Sequence, residues 1–306
     1  MLRTLLFIFT FLCSPSTIPL EYSACFETLP GWNAEEAVLE PFGNGMTNRN
    51  YRLTLGEFCY FVRVGSLSRD SLGTDYERER TVALFAAAAD LAPPVLVENR
   101  ELQLMVMPFI PSRPLNIRDP ATLEKALILL KQLHATDPSL PYAETPEGII
   151  QKYLVELERL DVPLTRAQEI ILNARPSVTI THFVPCHLDV QSGNMLDDGE
   201  RLWFIDWEYG ALSDPFFDLA TLASTNRFNL EELDTLLALY APHPSPELRH
   251  RFLQLVILAD LRWALWSIIQ TCQSNLHYDY KKEADHYFRQ AAMRLFALHN
   301  QTHASS

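Results

Sequence analysis

The sequence predicts an α+β protein of two lobes, a small β-rich N-terminal lobe followed by a larger, mostly helical one. Three observations carry that reading. Short apolar runs of strand length crowd the stretch from Leu29 to Phe109, with one helical pattern among them. Beyond Pro108 the apolar residues recur at helical spacing. Prolines gather at the joints, and Pro108, Pro111 and Pro114 mark the junction of the two halves.

In chain order, Ala37 to Glu40 and Tyr51 to Thr54 read as strands around the loop Pro41-Phe42-Gly43-Asn44-Gly45-Met46-Thr47-Asn48. Phe58 to Val64 is a third strand. Glu77 to Ala89 is a helix, with Val82, Phe85 and Ala89 three to four residues apart. Val95 to Glu98 and Leu102 to Met107 are two further short strands. Thr122 to His134 is a helix with Leu123, Ala126, Leu127, Leu130 and Leu133 on one face. Asn229 to Tyr240 begins with Asn229 as N-cap and Glu232 three residues on, close to a capping box. Ser245-Pro246 opens a further helix, with Pro at N1, that runs through Trp263 and Trp266. The expected division is an N-terminal extension over 1–27, an N-lobe over 28–108, a helical C-lobe over 109–300 and a tail over 301–306.

The 306 residues are 48% hydrophobic and 21% charged, enough for a sizeable core. Lys plus Arg number 25 against 38 Asp plus Glu, a net charge of −13. That balance argues against nucleic-acid binding, which needs clustered positive charge, and against anionic membrane surfaces. The five cysteines are scattered without metal-ligand spacing and read as mostly buried, reduced thiols. Residues 1–16, with Arg3, an apolar run and Ser14-Pro15-Ser16, have the layout of a signal peptide, but the run is too short to span a bilayer. An over-long start or a buried N-terminal segment fits the same residues.

The chemistry concentrates between Thr181 and Asp218. His187-Leu188-Asp189 is followed by Asn194, and then by Phe204-Ile205-Asp206-Trp207-Glu208. Between them Asp197-Asp198-Gly199 is a turn flanked by apolar residues, a hairpin that returns Asp206 to the same end as Asn194. Phosphoryl transfer from a nucleotide needs a carboxylate to take or orient the proton of the attacking hydroxyl. It also needs an amide oxygen and a second carboxylate to hold Mg²⁺ on the phosphates. Asp189, Asn194 and Asp206 have the types and the order for these tasks. Upstream, Gly43 and Gly45 lie in a turn between two strands, where glycines let backbone N–H groups approach phosphate. Asn48 stands where a third glycine would fall, and no Walker loop is present. Arg63 on the next strand and Glu79 on the helix suit a cation held by a carboxylate, although Glu77, Arg78 and Arg80 offer rival pairings.

These segments resemble the choline/ethanolamine kinase family, bacterial type, within the aminoglycoside-phosphotransferase-like and protein-kinase-like fold. The resemblance rests on Gly45 to Tyr51, Cys186 to Asp189 with Gly193-Asn194, Ile205 to Tyr209, Asp214 to Ala220, and Trp263 to Gln270. It covers about Leu29 to Phe288. It implies Asp189 as catalytic base, Asn194 and Asp206 as Mg²⁺ ligands, Arg63 as phosphate-contacting cation and Glu79 as its partner. Met107 to Ile110, Phe109 among them, would be the hinge against which adenine stacks. His187 and Asp218 would brace the catalytic loop, and His134 would be structural. Two departures stand out: Ser112 replaces the glycine that many relatives carry after the hinge, and the first 27 residues match nothing in the family.

At the substrate end Trp263 and Trp266 share a helix face. With Tyr209, and with Tyr278 or Tyr280, they suit a cage for a quaternary ammonium, which aromatic faces hold at about 0.5–2 kcal/mol each. Glu208 and Asp260 are the candidate carboxylates. The expected protein is a cytoplasmic, ATP- and Mg²⁺-dependent phosphotransferase acting on choline or a related amino alcohol in phospholipid metabolism, with no nucleic-acid partner and no stable membrane span. The oligomeric state is not legible. Thiamine, ethanolamine or an aminoglycoside as acceptor, or a non-catalytic kinase-like binding protein, are the rival readings.

Overall fold

A computed structural model describes residues 18–43, 48–65, 75–274 and 276–304, so Gly45 and the signal-like segment 1–16 lie outside the described residues. The chain divides into two compact units. One comprises 1–66 and 96–109, the other 67–95 and 110–306. The helix between the third and fourth strands thus groups with the helical unit and not with the sheet that precedes it.

The first unit is a five-stranded antiparallel sheet of order β1-β2-β3-β5-β4, from β1 (Val38–Pro41), β2 (Arg49–Leu55), β3 (Phe58–Val64), β4 (Val97–Asn99) and β5 (Leu104–Pro108). Alternation sends Leu53 and Leu55 of β2 and Tyr60, Val62 and Val64 of β3 into the core. A helix that the sequence pattern did not announce, α1 (Leu20–Phe26), covers this core with Tyr22, Cys25 and Phe26, one helical face at i, i+3 and i+4. Residues 20–26, which the sequence assigned to an extension, are therefore part of the unit. The strands expected from the pattern all form; Phe58–Val64 has the expected bounds, and the ends of the others shift by one or two residues.

The second unit holds α2 (Tyr76–Ala88), α3 (Pro120–His134), α4 (Pro146–Arg159), α5 (Arg166–Asn173), α6 (Pro215–Thr225), α7 (Leu230–Tyr240), α8 (Pro246–Gln273) and α9 (Tyr280–Ala304). Local chemistry sets their starts. Asn229 and Glu232 exchange the two hydrogen bonds of a capping box at α7, 2.9 and 2.7 Å. Ser245 caps α8 ahead of Pro246. By length and composition α8 could cross a membrane, yet 89% of its most apolar stretch is buried inside the unit, where it packs against α4, α6 and α9. It is the core helix.

Two small antiparallel pairs interrupt the helices. β6 (Val184–Cys186) pairs with β9 (Ala211–Ser213), and β7 (Met195–Asp197) pairs with β8 (Leu202–Phe204). The second pair is the expected hairpin. Its turn is closed by Asp198, whose carboxylate accepts from the Glu200 and Arg201 amides and the Trp203 indole, which hold it down to about 2. Of the described cysteines Cys25 and Cys186 are buried, Cys59 is half-buried and Cys272 is exposed, all as free thiols.

Candidate active site

The loop leaving β6 carries His187, Leu188 and Asp189, and one buried carboxylate organises it. Asp218, on the first turn of α6, accepts the backbone N–H of His187 at 2.8 Å and of Leu188 at 2.7 Å. These bonds hold Leu188 at φ +61°, a left-handed conformation costly for a branched side chain. His134 Nε2 reaches the same carboxylate at 3.1 Å, and His134 Nδ1 lies 2.6 Å from the Tyr240 hydroxyl. His187 Nε2 donates to the Ile205 carbonyl at 2.9 Å, while its Nδ1 accepts the Asp189 amide at 3.2 Å. A carbonyl can only accept and an amide can only donate, so the ring is a neutral Nε2–H tautomer. Burial favours the same state by pushing its pKa down. His134, Cys186 and Asp218 have ligand atoms within 4.8 Å of one another. Both His134 nitrogens and both Asp218 oxygens are already engaged, and burial pushes the Cys186 thiol well up, so the cluster is bracing and not a metal centre.

Asp189 is 4% exposed. Asn194, at the end of a 3-10 turn over Ser192–Asn194, donates its amide to the Asp189 carboxylate at 2.6 Å and to the Asp189 carbonyl at 3.0 Å. Gln191 donates to both carboxylate oxygens at 3.2 Å. The hairpin then returns the chain: the Ile205 amide donates to the Asn194 carbonyl at 3.0 Å, which sets Asp206 next to Asn194. Asp206 sits at φ +66°, a conformation that turns the chain sharply as it leaves β8. Burial pushes the Asp189 carboxyl up to about 7; Asp206 adds to the push, while Arg262 and the amides of Gln191 and Asn194 oppose it. Asn194 spends its NH₂ on Asp189, which leaves its Oδ1 as the oxygen donor of the pair, with Asp206 following the Ile205 amide that bonds the Asn194 carbonyl. An amide oxygen and a carboxylate are the hard donors that Mg²⁺ takes, so the residues fit that ion.

The aromatic residues also assemble. Trp263 and Trp266 pack edge to face at 5.5 Å, Trp266 meets Tyr280 at 6.0 Å, and Trp263 lies 6.5 Å from Tyr287 in a stacked pair. All four are buried. Tyr278 packs on Tyr280 at 4.9 Å but is 58% exposed, so Tyr280 and not Tyr278 belongs to the buried cluster. Glu208 and Tyr209 are buried on the turn after Asp206. Asp260 is not available to a ligand: it is wholly buried, accepts the Ser224 hydroxyl at 2.7 Å and pairs with Arg294.

Sequence reasoning missed Arg262. This guanidinium is 1% exposed, donates to the Leu188 carbonyl, and lies 4.8 Å over the Tyr209 ring and 5.0 Å over the Trp263 ring. It therefore joins the Asp189 loop to the aromatic cluster. A signal was present, because Asp260 and Arg262 are the only charges between Phe252 and Gln270. Two charges inside a buried helix demand partners.

The remaining predicted residues divide between the units. Gly43, Asn48, Arg63, Met107 and Phe109 are in the first. Gly43 takes φ +69°, Asn48 and Arg63 are buried, and Arg63 stands opposite Asn50 and Met105 in the sheet. Phe109 meets Phe42 edge to face at 5.1 Å, with Arg52 5.0 Å over its ring. Glu79 is buried on α2, in the second unit.

The profile of the phosphotransferase enzyme family (APH) matches residues 38–253, more than half of the chain. Protein LicA of Haemophilus influenzae is 23% identical over 253 residues, covering 75% of this chain and 73% of that protein. A choline/ethanolamine kinase family protein from Mesorhizobium loti superposes with a TM-score of 0.71 at 25% identity, over 91% of this chain and 97% of its own. Choline kinase LicA from Streptococcus pneumoniae gives 0.70 at 24% identity, over 86% and 94%, and a LicA structure has also been solved in complex with AMP. The chain belongs to the phosphotransferase enzyme family, as a phosphotransferase with an alcohol group as acceptor.

Proposed function

We propose that the protein is an ATP- and Mg²⁺-dependent kinase that phosphorylates the hydroxyl of choline or a related amino alcohol. The observation that carries the reading is the Arg262 bridge, one guanidinium bonded to the Leu188 carbonyl beside Asp189 and seated over Trp263 and Tyr209. It sets an aromatic cluster suited to a trimethylammonium group next to a carboxylate suited to a hydroxyl. LicA in complex with AMP supports an adenine nucleotide as donor.

In this reading Asp189 accepts the hydroxyl proton, the hydroxyl oxygen bonds to the γ-phosphorus, and the bond from that phosphorus to the ADP oxygen breaks. No covalent enzyme intermediate is needed. A carboxyl pushed up to about 7 suits a base working near neutral pH. Asn194 Oδ1 and the Asp206 carboxylate would hold Mg²⁺, which supplies charge neutralisation on the phosphates. Trp263, Trp266, Tyr209 and Tyr280 surround the ammonium group, with Glu208 as its carboxylate. Gly43, Gly45, Asn48, Arg63, Glu79, Met107 and Phe109 are assigned to the nucleotide on the family resemblance, and His187 and Asp218 to bracing the loop. A kinase using ATP belongs in the cytoplasm, and among the described residues the one helix long and apolar enough to cross a membrane, α8, is a core helix. The product, a phosphorylated amino alcohol, suits phospholipid metabolism.

An ADP-release assay with choline, ethanolamine, thiamine and an aminoglycoside tests the reading. The expected result is turnover with choline or ethanolamine. Turnover confined to thiamine or the aminoglycoside contradicts the acceptor assignment.

A further inference from the structure

Arg78, on the first turn of α2, is as enclosed as the catalytic loop. Its side chain is 8% exposed, and all three guanidinium nitrogens are engaged. Nη2 donates to the Tyr209 carbonyl at 2.8 Å, Nε to the Gly210 carbonyl at 3.3 Å and Nη1 to Glu144 at 2.8 Å. The Tyr142 ring lies 5.5 Å from the guanidinium. Glu144 also takes Lys152 at 2.5 Å; burial pushes its carboxyl up, but Lys152 and Arg78 outweigh that and hold it below its ordinary value. The segment carrying Glu144 is itself zipped to β9, through the Glu144 amide on the Leu212 carbonyl at 2.9 Å and the Leu212 amide on the Tyr142 carbonyl at 2.8 Å.

One turn along the same face of α2, Val82 closes on the same target. A Cβ added to Gly210 would stand 2.5 Å from Val82 Cγ1 and 3.3 Å from the Trp207 carbonyl oxygen. The turn over Trp207 to Gly210 is therefore held by its carbonyls at Arg78 and pressed against Val82, with no room for a side chain between.

We propose that Arg78 is a positioning residue for the acceptor pocket: from α2 it clamps the Tyr209 and Gly210 carbonyls and so fixes the turn that presents Glu208 and Tyr209. The inference rests on the reading of Glu208 and Tyr209 as acceptor-binding residues. Two carbonyls set side by side need the forked guanidinium, whereas the ion pair with Glu144 needs only a positive charge. Lysine at 78 therefore separates the clamp from the salt bridge.

The experiment compares wild type, R78K, G210A and the V82A/G210A double variant by steady-state kinetics and by hydrogen exchange over residues 205–213. R78K is expected to raise the acceptor KM about tenfold, leave the ATP KM within about twofold and speed exchange in that segment. G210A should do the same without touching Arg78, and V82A, by removing the clashing methyls, should restore much of the lost affinity. An acceptor KM unchanged in R78K, or exchange unchanged over 205–213, overturns the proposal and leaves Arg78 a plain salt bridge. If R78K does not fold, G210A and its rescue decide: no rise in KM, or no rescue, overturns it. If wild type turns over no amino alcohol, the proposed function fails, and the exchange arm still judges the clamp.

Discussion

Asp189 is buried where a carboxylate is costly, and in the proposed reading that cost is tied to its use as a base. With burial pushing the carboxyl up to about 7, the acid form dominates below neutrality and cannot take a proton. We expect kcat/KM for the acceptor to climb as pH rises through about 7 and then level off, in a pH–rate profile at saturating ATP and Mg²⁺. A flat profile from pH 6 to 9 contradicts the assignment of the base. The same shift bears on stability. A carboxyl raised in the fold stabilises it fully below the unfolded value of 3.8, and that stabilisation is lost as pH rises through about 7. Asp189→Asn should therefore melt above wild type at pH 8, with the gap closing toward pH 4, while activity is abolished; calorimetry at the two pH values checks it. Arg262 acts on the same loop from behind. Arg262→Met removes the donor to the Leu188 carbonyl and leaves it buried, which costs about 1–3 kcal/mol of stability. The kcat should fall more than the ATP KM changes, and unaltered melting and kcat in that variant would contradict the bridge.

The elements that position the site divide by how local their causes are. The aromatic cluster is built by α8 and α9 together, since Trp263 and Trp266 come from one helix and Tyr280 and Tyr287 from the other. Replacing both tryptophans with alanine should raise the choline KM by one to two orders of magnitude, taking about 0.5–2 kcal/mol for each ring face, with nucleotide affinity intact. Unchanged choline affinity in that double variant removes the cage. The capping box of α7 supplies a contrast: Asn229→Ala should cost about 1 kcal/mol in thermal unfolding and leave kcat alone. Features of this local kind are the ones the sequence displays. The hairpin between Asn194 and Asp206, the Asn229 cap, Pro246 at N1 and the Trp pair each depend on residues within a few positions, and each is legible. Arg78 meets Tyr209 and Gly210 across more than 130 residues, and nothing near it distinguishes it from Arg80. Asp260 looks like a ligand carboxylate until Arg294 arrives from α9 to pair with it. α1 is seven residues long and owes its helix to the sheet beneath it, so periodicity had too short a window.

At the scale of the molecule, a net charge of −13 suits the small cationic acceptor proposed above better than it suits nucleic acid. Hydropathy alone would assign α8 to a membrane; the burial of 89% of its apolar stretch and the Asp260–Arg294 pair make it the axis of the helical unit. A nucleotide that binds only the folded chain must raise its melting temperature. ADP with Mg²⁺ at about 100 times its Kd adds about 2.7 kcal/mol, and an Asn194→Ala, Asp206→Ala double variant should lose the Mg²⁺-dependent part of that shift. The central claim is the transfer of a phosphoryl group to an amino alcohol with Asp189 as the base. Phosphorus-31 NMR of wild type and Asp189→Ala incubated with ATP, Mg²⁺ and choline tests it most directly. The account predicts a phosphomonoester of choline growing in step with ADP in the wild type, and neither product in a folded Asp189→Ala. Phosphocholine formed at comparable rates by both proteins would contradict it.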